Sequence, residues 1–389
     1  VRAVVCAHGA LEVADLPDPR PGRGQLVLDV RRCGICGSDL HAKDHGDALD
    51  EVMVELGYHD SVRPDRPTVL GHELCGEVVE RGRGAGRGPR VGDLVVSFPL
   101  VRAGGRGGDV HLVGLSPQAP GGYAEQVVVE AAMSLVVPNG LPAEVAVLTE
   151  PLAVAHHAVR RSEVAARDVA VVLGCGPVGL AVVSLLKARG VRAVVASDPS
   201  PGRRALATRC GADLVVDPTA GSPWDVAAEG QRWVRSAPQL LELAVSAMEG
   251  LRRLPGWVPL YRAAEALGAA EVRRPVVFEC VGVPGMLEHV LSAAPVQSRV
   301  VVVGVCMGED TLRPTMAVNK ELDLRFVLGY TPLELRDSLH LLAEGRVDLS
   351  PLVTGTVGLA GVAAAFEALR DPEAHAKVLV DPASDARLP

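Results

Sequence analysis

Two short runs hold the residues best suited to chemistry: Gly34-Ile35-Cys36-Gly37-Ser38-Asp39-Leu40-His41 and Gly71-His72-Glu73. Together they offer a thiolate, an imidazole and a carboxylate, a mixed donor set that suits zinc with one coordination position left open. Ser38 and His41 lie just past the thiolate, where a hydroxyl and an imidazole can carry a proton away from a bound hydroxyl compound. Cys36 and His72 are 36 residues apart, so they come from separate elements and meet only through the fold. The local Cys33-x-x-Cys36 pair looks like half of a zinc ribbon or a redox motif. No second pair completes a ribbon, and nothing in the sequence puts this one at the helix start that a thioredoxin-type site uses. Cys33 is read as a small apolar filler.

A second signature is Gly174-Cys175-Gly176-Pro177-Val178-Gly179, which follows the apolar strand Val169–Leu173 and opens a helix over Val178–Arg189. A lone Gly-x-Gly-x-x-Gly says little; strand before and helix after are what make it a dinucleotide loop. Gly174 allows the tight turn, Gly176 lets a pyrophosphate approach, and Gly179 lets helix pack on strand. Asp198 ends the next strand, 24 residues beyond Gly174, where a carboxylate accepts from ribose hydroxyls and repels a 2′-phosphate. NAD is therefore expected over NADP, with Arg203 and Arg204 as the counter-signal, since arginines here can hold a 2′-phosphate.

The elements that must position these residues fall into two kinds. The first 150 residues are rich in Gly and Pro, with short strand-like runs at Leu26–Val30, Gly76–Glu80, Asp93–Ser97, Ala124–Val129 and Leu135–Val137. Glycine clusters at 82–88 and 104–108 separate them as loops, which predicts an all-β domain, a small barrel. From about Ala153 to Tyr330, strands alternate with helices: Ala193–Ser197, a helix over Arg203–Cys210, Leu214–Val216, Val276–Glu279, Val300–Val303 and Leu324–Leu328. That alternation predicts an α/β domain with a parallel sheet. The tail adds helices near Leu333–Ala343 and Val362–Leu369 and a last strand at Lys377–Val380.

Composition narrows the classes. The chain of 389 residues has room for two domains and a buried core, and with only 3% aromatics Val, Leu and Ala must fill it. A net charge of -8 gives no basic footprint, so nucleic acid is not an expected partner. Apolar runs are strand-sized, too short to cross a bilayer. Residues Val1 to Ala14 lack the features of a signal peptide, and eight scattered cysteines suggest no disulfide framework, so a reduced, cytoplasmic setting is expected.

With these motifs in order, the chain resembles the medium-chain, zinc-dependent alcohol dehydrogenases, closest to the polyol (sorbitol-type) and threonine dehydrogenase branch, from Val1 to about Asp381. The resemblance implies a GroES-like, mainly-β catalytic domain at 1–152, completed by 331–389, a Rossmann NAD-binding domain at 153–330, and an active site in the cleft between them. It implies Cys36 and His72 as zinc ligands, with the third either Glu73 or the Glu of Glu150-Pro151-Leu152; Glu73 is the expected alternating or supporting member. Asp39 would hold His72 by its other ring nitrogen. Arg203 matches a basic residue that packs beside the adenine.

Two departures stand against the family pattern. Many relatives carry a structural zinc in a lobe with four closely spaced cysteines, whereas no cysteine occurs here between Cys75 and Cys175. One zinc per chain is expected, with the stretch Ser97 to Gln126 held by other means. The spacing from Cys36 to His72 is also longer than usual, and the extra residues, roughly Lys43–Pro67, carry His45, Tyr58 and His59. These histidines are read as surface residues near the mouth of the cleft. A further insert, about 219–270, holds Trp224, Trp233 and Trp257 and an amphipathic helix at Gln239–Leu251, read as a packed decoration or subunit contact.

The expected activity is hydride transfer between a secondary alcohol or polyol and NAD, interconverting alcohol and ketone, by a homodimer or homotetramer. The alternatives are a zinc-free double-bond reductase of the same fold and a non-catalytic dinucleotide-binding module. The former lacks the ligand set present here, and the latter has no need of Ser38 and His41.

Overall fold

A computed structural model describes residues 1–389 except 59, 104–106, 228–232, 268–271 and 273. His59 and part of the second insert thus lie outside the described residues. Two compact units are present: Val1–His157 with Gly176–Ala188 and Gly329–Pro389, and Ala158–Cys175 with Arg189–Leu328.

In the first unit the long strand Gln25–Gly34 pairs antiparallel with Glu73–Arg81, Gln126–Glu130 and the C-terminal strand Lys377–Val380. Alternate residues Leu26, Leu28 and Val30, Val127 and Val129, and Val378 and Val380 share one core, as the two-residue strand period requires. Leu94–Ser97 and Ser134–Val136 extend the sheet beyond Glu73–Arg81.

Several elements here differ from the sequence expectation. Arg2–Ala7 and Ala10–Asp15 form a hairpin that turns through His8 and Gly9, both at positive φ. A helix occupies Gly37–Asp44, so Cys36 does stand at a helix start, as its N-cap. The first insert forms a helix at Gly46–Glu55. The cysteine-free stretch 97–126 is tied to that insert through Asp60, which accepts a hydrogen bond from Ser116 and stands 3.1 Å from His111 Nδ1. Tyr58, Asp60 and His111 line a cavity of about 360 Å³ beside them.

The second unit is built on six parallel strands: β1 (Val169–Leu173), β2 (Ala193–Ser197), β3 (Leu214–Val216), β4 (Val276–Glu279), β5 (Arg299–Val302) and β6 (Asp323–Phe326). Their order is β3-β2-β1-β4-β5-β6, the doubly wound dinucleotide-binding arrangement. The strands read as continuous Val and Ala runs because a parallel sheet is covered on both faces; all five residues of β1 are buried. Trp224 and Trp233 pack into this core. The helices Ala237–Leu251 and Trp257–Ala266 bury no residue. Among the described residues no helix is long and apolar enough to cross a membrane.

Candidate active site

The strand Gln25–Gly34 delivers Cys33 into the core, fully buried. Ile35 then bonds Val378 O through its amide, and Cys36 sits in extended backbone at the helix start. Asp39, the third residue of that helix, reaches back and accepts from Cys36 N at 2.9 Å. This capping contact fixes the thiol-bearing residue from within its own segment.

His72 comes from the other side. Gly71 before it is at φ +97°, and a Cβ there would lie 2.7 Å from the Tyr123 ring and 2.8 Å from Cys33 Sγ. Only glycine fits. A Cβ on Gly121 or Gly114 would in turn lie 2.4 or 2.6 Å from Gly71 O, so three backbones meet here.

Asp39 is wholly buried and joins the two segments. Its Oδ1 stands 3.3 Å from His72 Nδ1 and accepts from Gly71 N at 3.3 Å, while Oδ2 also accepts from the Tyr123 hydroxyl at 2.7 Å. Burial would raise the Asp39 carboxyl, but His72, Tyr123 and the Cys36 amide outweigh it and hold it below its usual range. Burial pulls His72 down, yet Asp39 and Cys36 together keep it well above the ordinary imidazole value. Its other nitrogen, Nε2, lies 3.2 Å from Ser38 Oγ. The structure therefore brings Cys36, Ser38, Asp39 and His72 together. His41 is one turn along the helix, beside His45 at 6.1 Å between ring centroids, and burial with that neighbour pushes its pKa down.

The two candidate carboxylates differ. Glu73 is buried and takes both oxygens to Lys377 Nζ, at 2.7 and 2.8 Å, and the same ammonium donates to Ile35 O at 2.9 Å. Glu150, in the first turn of the helix Thr149–Ser162, is pushed up to about 7 by burial and by Glu73, against the pull of His72 and Lys377. Tyr330, whose ring is tilted against that of Phe98 at 4.7 Å between centroids, lies beside it without a well-aligned hydrogen bond.

Among the described residues no three His, Cys, Asp or Glu side chains are arranged to hold a metal ion. The chemistry of the set nonetheless fits zinc. A soft sulfur donor stands near an imidazole whose Nδ1 lies 3.3 Å from the Asp39 carboxylate without a well-aligned hydrogen bond. The Glu150 carboxyl, pushed up to about 7 chiefly by burial and also by Glu73, is a group whose charged form a dication would stabilise.

At the dinucleotide loop, Gly174 is at φ +90°, and a Cβ there would lie 2.9 Å from Val281. Gly176 differs: a Cβ there would meet no protein atom within 4 Å, so its glycine leaves space that packing does not need. Pro177 begins the helix Pro177–Ala188, followed by Val178 and the buried Gly179. Asp198 accepts from Cys175 N at 2.8 Å and from Ser200 N at 2.9 Å, so it also braces the loop. Arg204 donates to Asp198 O and Pro199 O, both at 2.7 Å, which removes much of its freedom. Arg203 has its amide on Ser200 Oγ and its buried Nε without a partner.

Lys377, Tyr123 and Tyr330 were missed by sequence reasoning. Lys377 heads an apolar strand and looks like an exposed strand start. A signal existed for Tyr123: with only four tyrosines in the chain, one beside Gly121-Gly122 invites the question of where its hydroxyl is satisfied.

Comparison with known proteins agrees with this layout. Residues 22–139 match the alcohol dehydrogenase GroES-like domain, and residues 177–239 match the zinc-binding dehydrogenase family. The chain is 31% identical over 379 residues to (R,R)-butanediol dehydrogenase of Bacillus subtilis (strain 168), covering 96% of each. It is 27% identical over 382 residues to sorbitol dehydrogenase of Gallus gallus, covering 95% of this chain and 93% of the relative. The crystal structure of 2R,3R-butanediol dehydrogenase from Bacillus subtilis superposes with a TM-score of 0.73 at 28% identity, over 98% of this chain and 99% of that one. A capped thiol, an imidazole braced by a carboxylate, a doubly wound sheet and these relatives converge: the chain belongs to the medium-chain, zinc-dependent alcohol dehydrogenase family.

Proposed function

We propose that this enzyme interconverts a secondary alcohol or polyol and its ketone, exchanging hydride with NAD. The observation that carries the reading is Asp39 binding both segments of the site, with Cys36 N on one oxygen and His72 Nδ1 facing the other. Cys36, His72 and Glu150 would hold the zinc, with Glu73, neutralised by Lys377, as the alternating member. When bound, zinc supplies Lewis acidity toward the substrate oxygen, and the nicotinamide supplies the hydride acceptor.

The chain's own groups do the rest. Asp39 orients the imidazole and fixes its tautomer. Ser38 Oγ accepts the hydroxyl proton and passes it toward His41, which stays neutral near neutrality because burial and His45 depress its pKa. Gly176 leaves room for the pyrophosphate, Gly174 and Gly179 shape the turn, and Asp198 favours the free ribose hydroxyls of NAD. Arg203 would pack beside the adenine.

We assign 1–152 with 331–389 to catalysis and 153–330 to cofactor binding. One zinc per chain is supported by the Asp60 contacts that tie down the cysteine-free stretch. Eight scattered cysteines, with no spacing that suggests a disulfide framework, support a reduced, cytoplasmic setting, and a homodimer or homotetramer is our expectation. The zinc-free reductase and the non-catalytic binder are disfavoured by the assembled Cys36, His72, Ser38 and Asp39.

The test is elemental analysis of the purified protein, with reduction of NAD and NADP measured over secondary alcohols, vicinal diols and sugar alcohols. One zinc per chain and alcohol-dependent NAD reduction are expected. Cys36→Ser should lower kcat/KM on the order of 1000-fold, the loss of several kcal/mol of Lewis-acid stabilisation. Metal-free protein that still reduces an activated double bond would overturn the reading in favour of the reductase.

A further inference from the structure

We propose that Tyr123 is a positioning residue for the zinc ligand His72, acting through its hydroxyl on Asp39. This rests on the reading that His72 binds zinc. Tyr123 is wholly buried, and its hydroxyl donates to Asp39 Oδ2 at 2.7 Å. A phenol taken out of water must find a partner, and a phenylalanine would fill the same ring space without that demand.

The ring is held on every side. Its backbone N bonds Leu70 O at 3.1 Å, its carbonyl accepts from Val4 N at 2.8 Å, and Phe366 meets it edge-on at 6.1 Å between centroids. Gly71 lies against its Cδ1 and Cε1 atoms, where no Cβ fits. The hydroxyl is thus a fixed point, and Asp39 is as buried as Tyr123, so water does not reach it as a substitute.

The oxygens of Asp39 have separate tasks. Oδ2 is held by Tyr123 and Cys36 N; Oδ1 faces His72 Nδ1 and takes a longer bond from Gly71 N at 3.3 Å. Removing the hydroxyl takes away the shortest of these contacts and leaves the carboxylate on two amides, Cys36 N at 2.9 Å and Gly71 N at 3.3 Å, a looser hold. The Oδ1 contact with His72, already long at 3.3 Å, is the one that suffers. The imidazole then loses the restraint that keeps Nε2 as its metal-facing atom.

The experiment compares zinc-loaded wild type, Tyr123→Phe and Phe366→Leu. The rate of zinc release into excess chromophoric chelator is read beside Tm and the visible spectrum of the cobalt(II)-substituted proteins. Tyr123→Phe should release zinc about 10-fold faster, the lower end of what removing an outer partner of a metal ligand costs, and shift the cobalt bands. Phe366→Leu loosens the same ring without touching the hydroxyl and should release zinc at the wild-type rate despite a lower Tm. Equal release by wild type and Tyr123→Phe, or equal acceleration by Phe366→Leu, overturns the proposal while the zinc reading stands. Wild type that takes up no zinc overturns both.

Discussion

The two compact units fill their interiors differently. The sheet of the second is aliphatic through its middle: β1 is Val-Ala-Val-Val-Leu, wholly buried, with Val277 and Val300 beside it, and the buried charges Asp198, Glu279 and Arg299 stand only at or just past strand ends. The first encloses Asp39, Glu73 and Lys377, each at most 1% exposed, with His72 and Tyr123 among them. Lys377 pairs with Glu73, and amides, a phenol and an imidazole surround Asp39. The aliphatic interior follows from area alone, whereas the ionic one stands only while each pairing is complete.

That difference predicts a ranking. Lys377→Met leaves Glu73 buried with no counter-ion and should cost about 3 to 5 kcal/mol in urea unfolding. Adding Glu73→Leu should recover most of it; a double variant as unstable as the single would show that the lysine matters for something other than the pair. Val171→Ala, in the aliphatic sheet, should cost about 2 kcal/mol through lost contacts and a small cavity, with zinc content unchanged. Zinc loss in that variant would mean that the two interiors are not independent.

The smallest effect should come from Glu130→Gln. Glu130 accepts from Arg102 N at 2.9 Å and Arg102 Nη2 at 2.6 Å. Burial would raise its carboxyl, but Arg102 and Gln25 hold it below the usual range. Its stabilisation is therefore present above the ordinary carboxylate pKa and lost as pH falls through the depressed folded value. The variant should be about 1.5 kcal/mol weaker at neutral pH, and the gap should close in acid. A gap that persists below the folded value would mean that shape, not charge, is at work.

The same contrast decides what the sequence reveals. Val169–Leu173, Ala193–Ser197, Leu214–Val216 and Val276–Glu279 are strands residue for residue as the apolar runs predict, because a parallel strand needs nothing but its own side chains. The helix Gly37–Asp44 escaped because its start is a cysteine, not one of the usual capping residues, and its run is short and polar. Within the site, Cys36, Ser38, Asp39 and His72 stand out because each lies in a compact motif. Lys377 does not, since its partner Glu73 is 304 residues away and only the joining of the last strand to Gln25–Gly34 brings them together. Tyr123, 84 residues from Asp39, is hidden for the same reason.

The meeting of Gly71, Gly114 and Gly121 bears on how such an enzyme can change. Three main chains meet there, so a carbon added at Gly114 or Gly121 pushes against backbone, and one added at Gly71 pushes against the Tyr123 ring and Cys33 Sγ. Variation that reshapes substrate preference is thus barred from the floor beneath His72. Segments with room lie elsewhere, such as the exposed faces of Gly46–Glu55, where Val52 and Val54 already lie open. A library built on this chain would find its tolerated diversity in the insert and its dead variants in these glycines.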